Sequence, residues 1–128
     1  MKKLKTPKIS WRDAKVPVSV DFDDPYFSSE GGLAEARHVF LKGIGIPDVW
    51  IGREQFAIGE LGFGTGLNFL VTLQAWRETA PSSARLDYVA IEGFPISVSD
   101  RRRALGQFPE IAPLADSLAD AIPDPEPG

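Results

Sequence analysis

At 128 residues, with 43% hydrophobic and 25% charged side chains, the chain has the length and balance of one globular domain. Its formal net charge of −4 excludes a protein that coats nucleic acid through an overall basic surface. It has no cysteine and one histidine, His38, which excludes disulfides and thiolate or histidine-rich metal sites and leaves the expectation of no metal.

The start, MKKLKTPKIS, places Lys2, Lys3, Lys5 and Lys8 ahead of no apolar segment, so it reads as a solvated basic tail rather than a secretory signal. No later apolar run approaches the roughly 20 residues that span a bilayer, so a cytoplasmic protein with no membrane partner is expected. Residues 1–20 read as an N-terminal extension, in which Pro7 and Pro17 disfavour helix while Val16, Val18 and Val20 alternate as in a short strand. Residues 21–32 (DFDDPYFSSEGG) are turn-rich and acidic. Leu33, Ala36, Val39 and Phe40 then recur at helical spacing, predicting a helix over 33–42 closed by Gly43, with His38 packed on it. Residues 43–53 read as a loop.

Gln55–Leu61 (QFAIGEL) reads as a short buried strand, and Gly62, Gly64 and Gly66 form a tight turn after it. Residues 67–78 (LNFLVTLQAWRE) predict a helix ended by Pro81. Leu86–Glu92 (LDYVAIE) predicts a second apolar strand. Ser99 or Asp100 could cap a helix reaching Gln107, along which Arg101, Arg102 and Arg103 read as a basic exposed face. A further helix is expected over 110–121, before the helix-breaking tail PDPEPG. Strand, helix, strand, helix in succession implies a parallel α/β sheet with helices on its faces.

The glycine turn carries the chemistry. A strand that turns sharply into a helix needs residues free of Cβ clashes, and their absence lets a ligand approach the backbone. The helix that follows presents unpaired amide donors to an anionic group. The spacing discriminates among ligands. A phosphate-cradling P-loop needs Lys-Ser or Lys-Thr after its last glycine, where this chain has Leu67-Asn68. The dinucleotide pattern G-x-G-x-x-G is missed because the third glycine comes one residue early, which disfavours a nicotinamide-dependent oxidoreductase. Glu92 ends the second strand, where a carboxylate can accept hydrogen bonds from both ribose hydroxyls of a nucleoside. Taken alone, Glu92 is also a plain strand end, and Glu60 a partner of the helix dipole.

The run Glu60-Leu61-Gly62-Phe63-Gly64-Thr65-Gly66, acid-x-G-x-G-x-G, resembles the first motif of class I methyltransferases. Together with the block Phe22-Asp23-Asp24-Pro25-Tyr26-Phe27-Ser28, and with Ile91-Glu92 and Phe108-Pro109-Glu110, it resembles the methyltransferase domain of the bifunctional tRNA 5-methylaminomethyl-2-thiouridine biosynthesis proteins, MnmC. The resemblance covers nearly the whole chain from residue 11, with His38, Ile44 and Gly93 departing from the family pattern.

That resemblance implies the N-terminal part of a Rossmann-like class I methyltransferase fold over residues 21–128. It implies S-adenosylmethionine as cofactor, contacted by Glu60, Gly62, Phe63, Gly64, Thr65, Gly66, Asn68 and Glu92. It implies tRNA as substrate, methylated on the aminomethyl group of a wobble uridine, and an FAD-dependent oxidoreductase domain or protein as partner. The family pattern continues past the equivalent of Gly128, so the expectation is weak cofactor binding and no turnover by this chain alone. A non-catalytic nucleoside-binding or interaction module is the alternative. Asp23, Asp24, Tyr26 and Ser28 have two readings, a lid over the glycine loop or a capped turn. An unpaired sheet edge favours self-association, so a homodimer is a further expectation.

Overall fold

The centre of the molecule is the predicted strand–loop–helix–strand unit. In the computed structural model, which describes residues 6–28 and 31–124, β4 (Gln55–Leu61) and β5 (Arg85–Ile91) pair in parallel from Gln55↔Arg85 to Leu61↔Ile91. Parallel strands need a crossover, and α3 (Leu67–Thr79) supplies it. The mixed α/β class, with parallel strands and flanking helices, is as expected. No helix among the described residues is long and apolar enough to cross a membrane.

Burial of the sheet departs from the expectation. Gln55–Leu61 is not buried on both faces: Ile58 is buried, but Leu61 is 87% exposed. Val89 and Ile91 beside it are exposed too. Successive strand residues point to opposite faces. Phe56, Ile58, Leu86 and Tyr88 pack against the Trp50–Trp76 cluster, while the other face is uncovered among the described residues.

Three antiparallel strands precede this unit, in the order β1 (Ile9–Arg12), β2 (Val16–Ser19) and β3 (Asp24–Pro25). β1 is absent from the sequence reading. β2 is buried along its whole length rather than on alternate residues, and β1 and β3 pair with its two edges. Pro17 is tolerated there: its carbonyl accepts the Tyr26 amide (2.9 Å), at the point where β3 has ended. Two side chains from the C-terminal end of α4 (Val98–Leu105) and the residues just after it tie the β1–β2 hairpin down. Arg103 stacks on Trp11 at 3.9 Å and donates to the Ala14 carbonyl, and Gln107 just beyond the helix donates to the Lys15 carbonyl.

The three arginines are therefore not one exposed basic face. Arg101 is only 4% exposed and donates to the Ile122 carbonyl, Arg102 lies near Asp116 and Asp120, and Arg103 points at Trp11. Successive helix positions face different directions, about 100° apart, so a run of three cannot share one face. Lys8 is exposed, while Lys2, Lys3 and Lys5 lie outside the described residues.

The helix expected over 33–42 is α1 (Gly32–Ala36), a π turn (Arg37–Leu41) and α2 (Lys42–Ile44). The wider turn shifts the helical phase. Leu41 rather than Phe40 reaches the core, Val39 is exposed, and so is His38, which does not pack as expected. Gly45, at φ 88°, closes the helix in place of Gly43, because its amide must return to the Leu41 and Lys42 carbonyls from a left-handed conformation. The expected loop over 43–53 contains one helical turn, Asp48–Trp50, which buries Trp50 edge-on against Trp76.

The N-cap of α4 is Ser97, whose hydroxyl accepts the Asp100 amide. Ser99 and Asp100 lie inside the helix. A short turn (Pro109–Ile111) leads into α5 (Ala112–Ala121). One core cluster joins α1, α3, α4 and α5 through Leu33, Leu70, Leu105, Ile111 and Leu118. Leu70, Leu105 and Ile111 are at most 2% exposed, and full burial of such side chains stabilises by about 1.5–3 kcal/mol each.

Candidate functional site

The glycine turn stands at the junction of β4 and α3, as the spacing predicts. Gly62, Gly64 and Gly66 all have positive φ, at 82°, 59° and 87°. The Gly62 amide donates to the Ile91 carbonyl (2.8 Å), extending the parallel ladder by one bond before the chain turns. The Gly66 amide returns to the Phe63 carbonyl (3.1 Å), and the Leu70 amide to the Gly66 carbonyl starts the helix. Gly66 is the N-cap and offers no capping side chain, so Thr65 serves instead, its hydroxyl accepting the Leu67 amide at 3.4 Å.

Glu92 reaches the loop from the end of β5. One carboxylate oxygen accepts the Gly64 amide (2.8 Å) and the other the Phe94 amide (3.2 Å). An acid 28 residues away in sequence thus holds the middle of the glycine turn.

Glu60 faces the other way, towards α3, where its Oε2 accepts the Asn68 side-chain amide (3.1 Å). Its Oε1 is buried, and the buried hydroxyl of Tyr88 is its hydrogen-bonding neighbour. Burial raises the Glu60 carboxyl above the ordinary glutamate value; hydrogen bonds from Asn68 and Tyr88 partly offset this and the Glu92 charge adds to it. Burial, followed by the Glu60 charge, pushes the Tyr88 phenol upwards.

Tyr26 closes the site from the N-terminal side. Its ring lies against Gly64, where a Cβ would meet Tyr26 Cδ1 at 3.4 Å. Burial first, then the Glu92 charge, raises its phenol. The result is one cavity of about 460 Å³. Residues 62–65 of the loop, Asn68 and Glu92 line one side, with Asp24, Tyr26 and Ser28 opposite. Glu60, Gly66 and Asp23 do not line it. Gly66 is packed against Leu118 and Phe63, Glu60 lies behind the turn, and Asp23 is an exposed turn residue at φ 49°.

Three aromatic walls were missed from sequence: Phe22, Phe27 and Phe94. Phe22 and Phe94 pair edge-on at 5.9 Å across the cavity rim, and Phe27 packs on Phe108 at 5.3 Å. The signal was available, because two phenylalanines inside an otherwise polar, turn-forming block have to pack on something.

No protein-family model matches the chain. Curated relatives do match it. It is 44% identical over 126 residues to the tRNA 5-methylaminomethyl-2-thiouridine biosynthesis bifunctional protein MnmC of Aeromonas salmonicida. It is 43% identical over 116 residues to the protein of that name from Maricaulis maris, and 48% over 114 residues to that of Cupriavidus metallidurans. The chain is homologous to one segment of MnmC. The matches take in 94%, 91% and 88% of this chain but only 19%, 20% and 17% of those proteins, so the chain spans about a fifth of the length of the MnmC relatives it matches. Among solved structures, the crystal structure of MNMC2 from Aquifex aeolicus superposes with a TM-score of 0.67, at 23% identity, over 95% of this chain and 39% of that one. At that identity the likeness speaks for the shared α/β fold.

Proposed function

We propose that this chain forms the S-adenosylmethionine-binding part of a methyltransferase acting on the aminomethyl group of a tRNA wobble uridine. The supporting observation is a glycine turn, pinned by Glu92 from the neighbouring strand, that faces one 460 Å³ cavity in a chain homologous to part of MnmC. That volume lies within the range of about 300–1,000 Å³ typical of small-molecule sites.

The residues fit the cofactor. A carboxylate offers about four lone-pair sites, and the Gly64 and Phe94 amides take two from Glu92, so two remain for the ribose hydroxyls. The backbone of residues 62–66 would receive the amino-acid end at the start of α3. Glu60 and the Asn68 side chain bonded to it would orient that end from behind the turn. Bound S-adenosylmethionine supplies an activated methyl group, so the chain's own contribution is positioning. Asp23, Asp24, Tyr26 and Ser28 act in this reading as a lid, with Tyr26 seated on Gly64 and Phe22 against Phe94 at the rim. An FAD-dependent oxidoreductase domain or protein is the proposed partner, in a cytoplasmic setting suited to a cysteine-free chain.

A second reading, a nucleoside-binding module without turnover, is favoured by the sheet, whose outer face at Leu61, Val89 and Ile91 is bare. Thermal shift with S-adenosylmethionine, S-adenosylhomocysteine and NAD separates the readings from a nicotinamide enzyme, since a ligand that binds only the folded state raises its midpoint. Stabilisation by the first two alone is expected. A radiolabelled methyl-transfer assay on hypomodified tRNA then separates enzyme from module. Stabilisation by NAD alone would overturn both.

A further inference from the structure

The cavity between the glycine turn and the N-terminal block has walls of one charge. Asp21, Asp24, Glu35 and Glu92 line it, and among the described residues no lysine, arginine or histidine does. None of the four is in an ion pair among the described residues. Asp21 and Asp24 come from the block around β3, Glu35 from the first turn of α1 and Glu92 from just after β5, so three separate segments bring like charge to one space. A concave wall of one sign focuses its field into the opening and concentrates the opposite charge there. The Glu92 charge is felt across the cavity, where, after burial, it raises the Tyr26 phenol.

Aromatic faces complete the lining. Phe22, Tyr26, Phe40, Phe63 and Phe94 stand among the carboxylates. The face of an aromatic ring is negative as well, and it attracts a cation. Phe22 and Phe94 remain exposed at the rim, where their rings are open to a ligand. Donors for an anion are mostly in use. The Gly62, Gly64, Gly66 and Leu67 amides already donate to the Ile91 carbonyl, Glu92, the Phe63 carbonyl and Thr65. The pyrophosphate of a dinucleotide would meet four carboxylates there and few unpaired amides.

We propose that this cavity selects its ligand by positive charge: Asp21, Asp24, Glu35, Glu92 and the aromatic walls favour the sulfonium cation of S-adenosylmethionine over its neutral thioether counterpart, S-adenosylhomocysteine. The inference rests on the cofactor reading and adds to it the residues that tell the methylated form from the demethylated one. Asp21 and Glu35 are exposed, so they act through the field rather than by packing.

Calorimetry on the 128-residue chain compares S-adenosylmethionine, S-adenosylhomocysteine and sinefungin, which carries an amine-bearing carbon in place of the methylated sulfur and so separates charge from methyl. The two cations are expected to bind about tenfold more tightly than S-adenosylhomocysteine. Raising the salt from about 0.1 M to about 1 M shortens the screening length from about 10 Å to about 3 Å, and should shrink that ratio to about threefold or less. Glu35→Gln and Asp21→Asn combined should weaken both cations by about fivefold and leave S-adenosylhomocysteine within about twofold of the parent, whereas a structural defect weakens all three alike. Equal affinity for the three ligands, a ratio indifferent to salt, or a double variant that weakens all three equally would overturn the proposal and leave the cofactor reading in place. Absence of binding by any of the three would remove both. Should the double variant not fold, the salt dependence of the parent decides.

Discussion

Replacing Gly66 by alanine tests the glycine turn most directly. Gly66 sits at φ 87° and ψ 8°, and a Cβ built there would lie 2.9 Å from Leu118 Cδ2 and 3.0 Å from Phe63 Cζ. Two costs add. A left-handed conformation costs an L-residue about 1–2 kcal/mol. Overpacking against α5 and the loop adds about 1–3 kcal/mol. The total is about 3 kcal/mol, a large part of the roughly 5–15 kcal/mol by which a domain is stable.

Gly62 provides the control. Its φ is 82° but nothing lies within 4 Å of the added carbon, so Gly62→Ala pays only the conformational part, about 1 kcal/mol. Gly64, at φ 59°, lies in the left-handed well that ordinary residues tolerate best, and its Cβ would make an ordinary contact with Tyr26 at 3.4 Å. Gly64→Ala therefore costs least in stability while narrowing the cavity. Urea unfolding of all three variants should rank Gly66 well above Gly62, with Gly64 last. A Gly66→Ala loss within about 0.5 kcal/mol of the Gly62→Ala loss would show that Leu118 and Phe63 do not crowd the turn and would refute the packing argument.

Three further outcomes follow from the same geometry. Glu92→Ala strips the acceptor from the Gly64 and Phe94 amides and should cost about 1 kcal/mol, while Glu92→Gln, which keeps one carbonyl acceptor, should cost less; equal losses in denaturant titrations would contradict this. Glu60 holds its proton more tightly when folded, so its contribution to stability is complete below the ordinary glutamate range and is lost as pH rises through the raised folded value. The stability of Glu60→Gln relative to the parent should therefore increase with pH across that window, and a constant or shrinking difference would count against burial as the cause. Leu61→Lys, at a position 87% exposed, should change stability by no more than about 0.5 kcal/mol; a loss several times larger would mean that the outer sheet face is covered in solution.

Much of the candidate site was legible because its determinants are local. Gln55–Leu61 reads as a strand from its apolar run, and the structure has it with those bounds. The glycine spacing requires a backbone that only glycine adopts freely, so it marks the turn whatever surrounds it. Glu92 was legible as the end of the next strand. Its bond to Gly64 was not, since that bond depends on the register between β4 and β5. The misreadings share one origin. Arg101 looks solvated by composition, yet α5 and the segment after it bury it. Val39 and Phe40 fit a helical stripe until one π turn rotates them off it. The β1 strand, four residues long, acquires its definition from pairing with β2 and from Trp11 beneath Arg103.

By itself, then, the order of residues determined where the backbone must bend, where it can continue and which ligand spacing the turn matches, because steric limits on φ and the period of apolar residues act over a few positions. The tertiary structure alone decided that Tyr26 sits on Gly64, that Glu92 holds the loop, and that one face of the sheet is uncovered among the described residues. Those are relations between segments tens of residues apart, and they come into being only when packing and strand register bring the segments together.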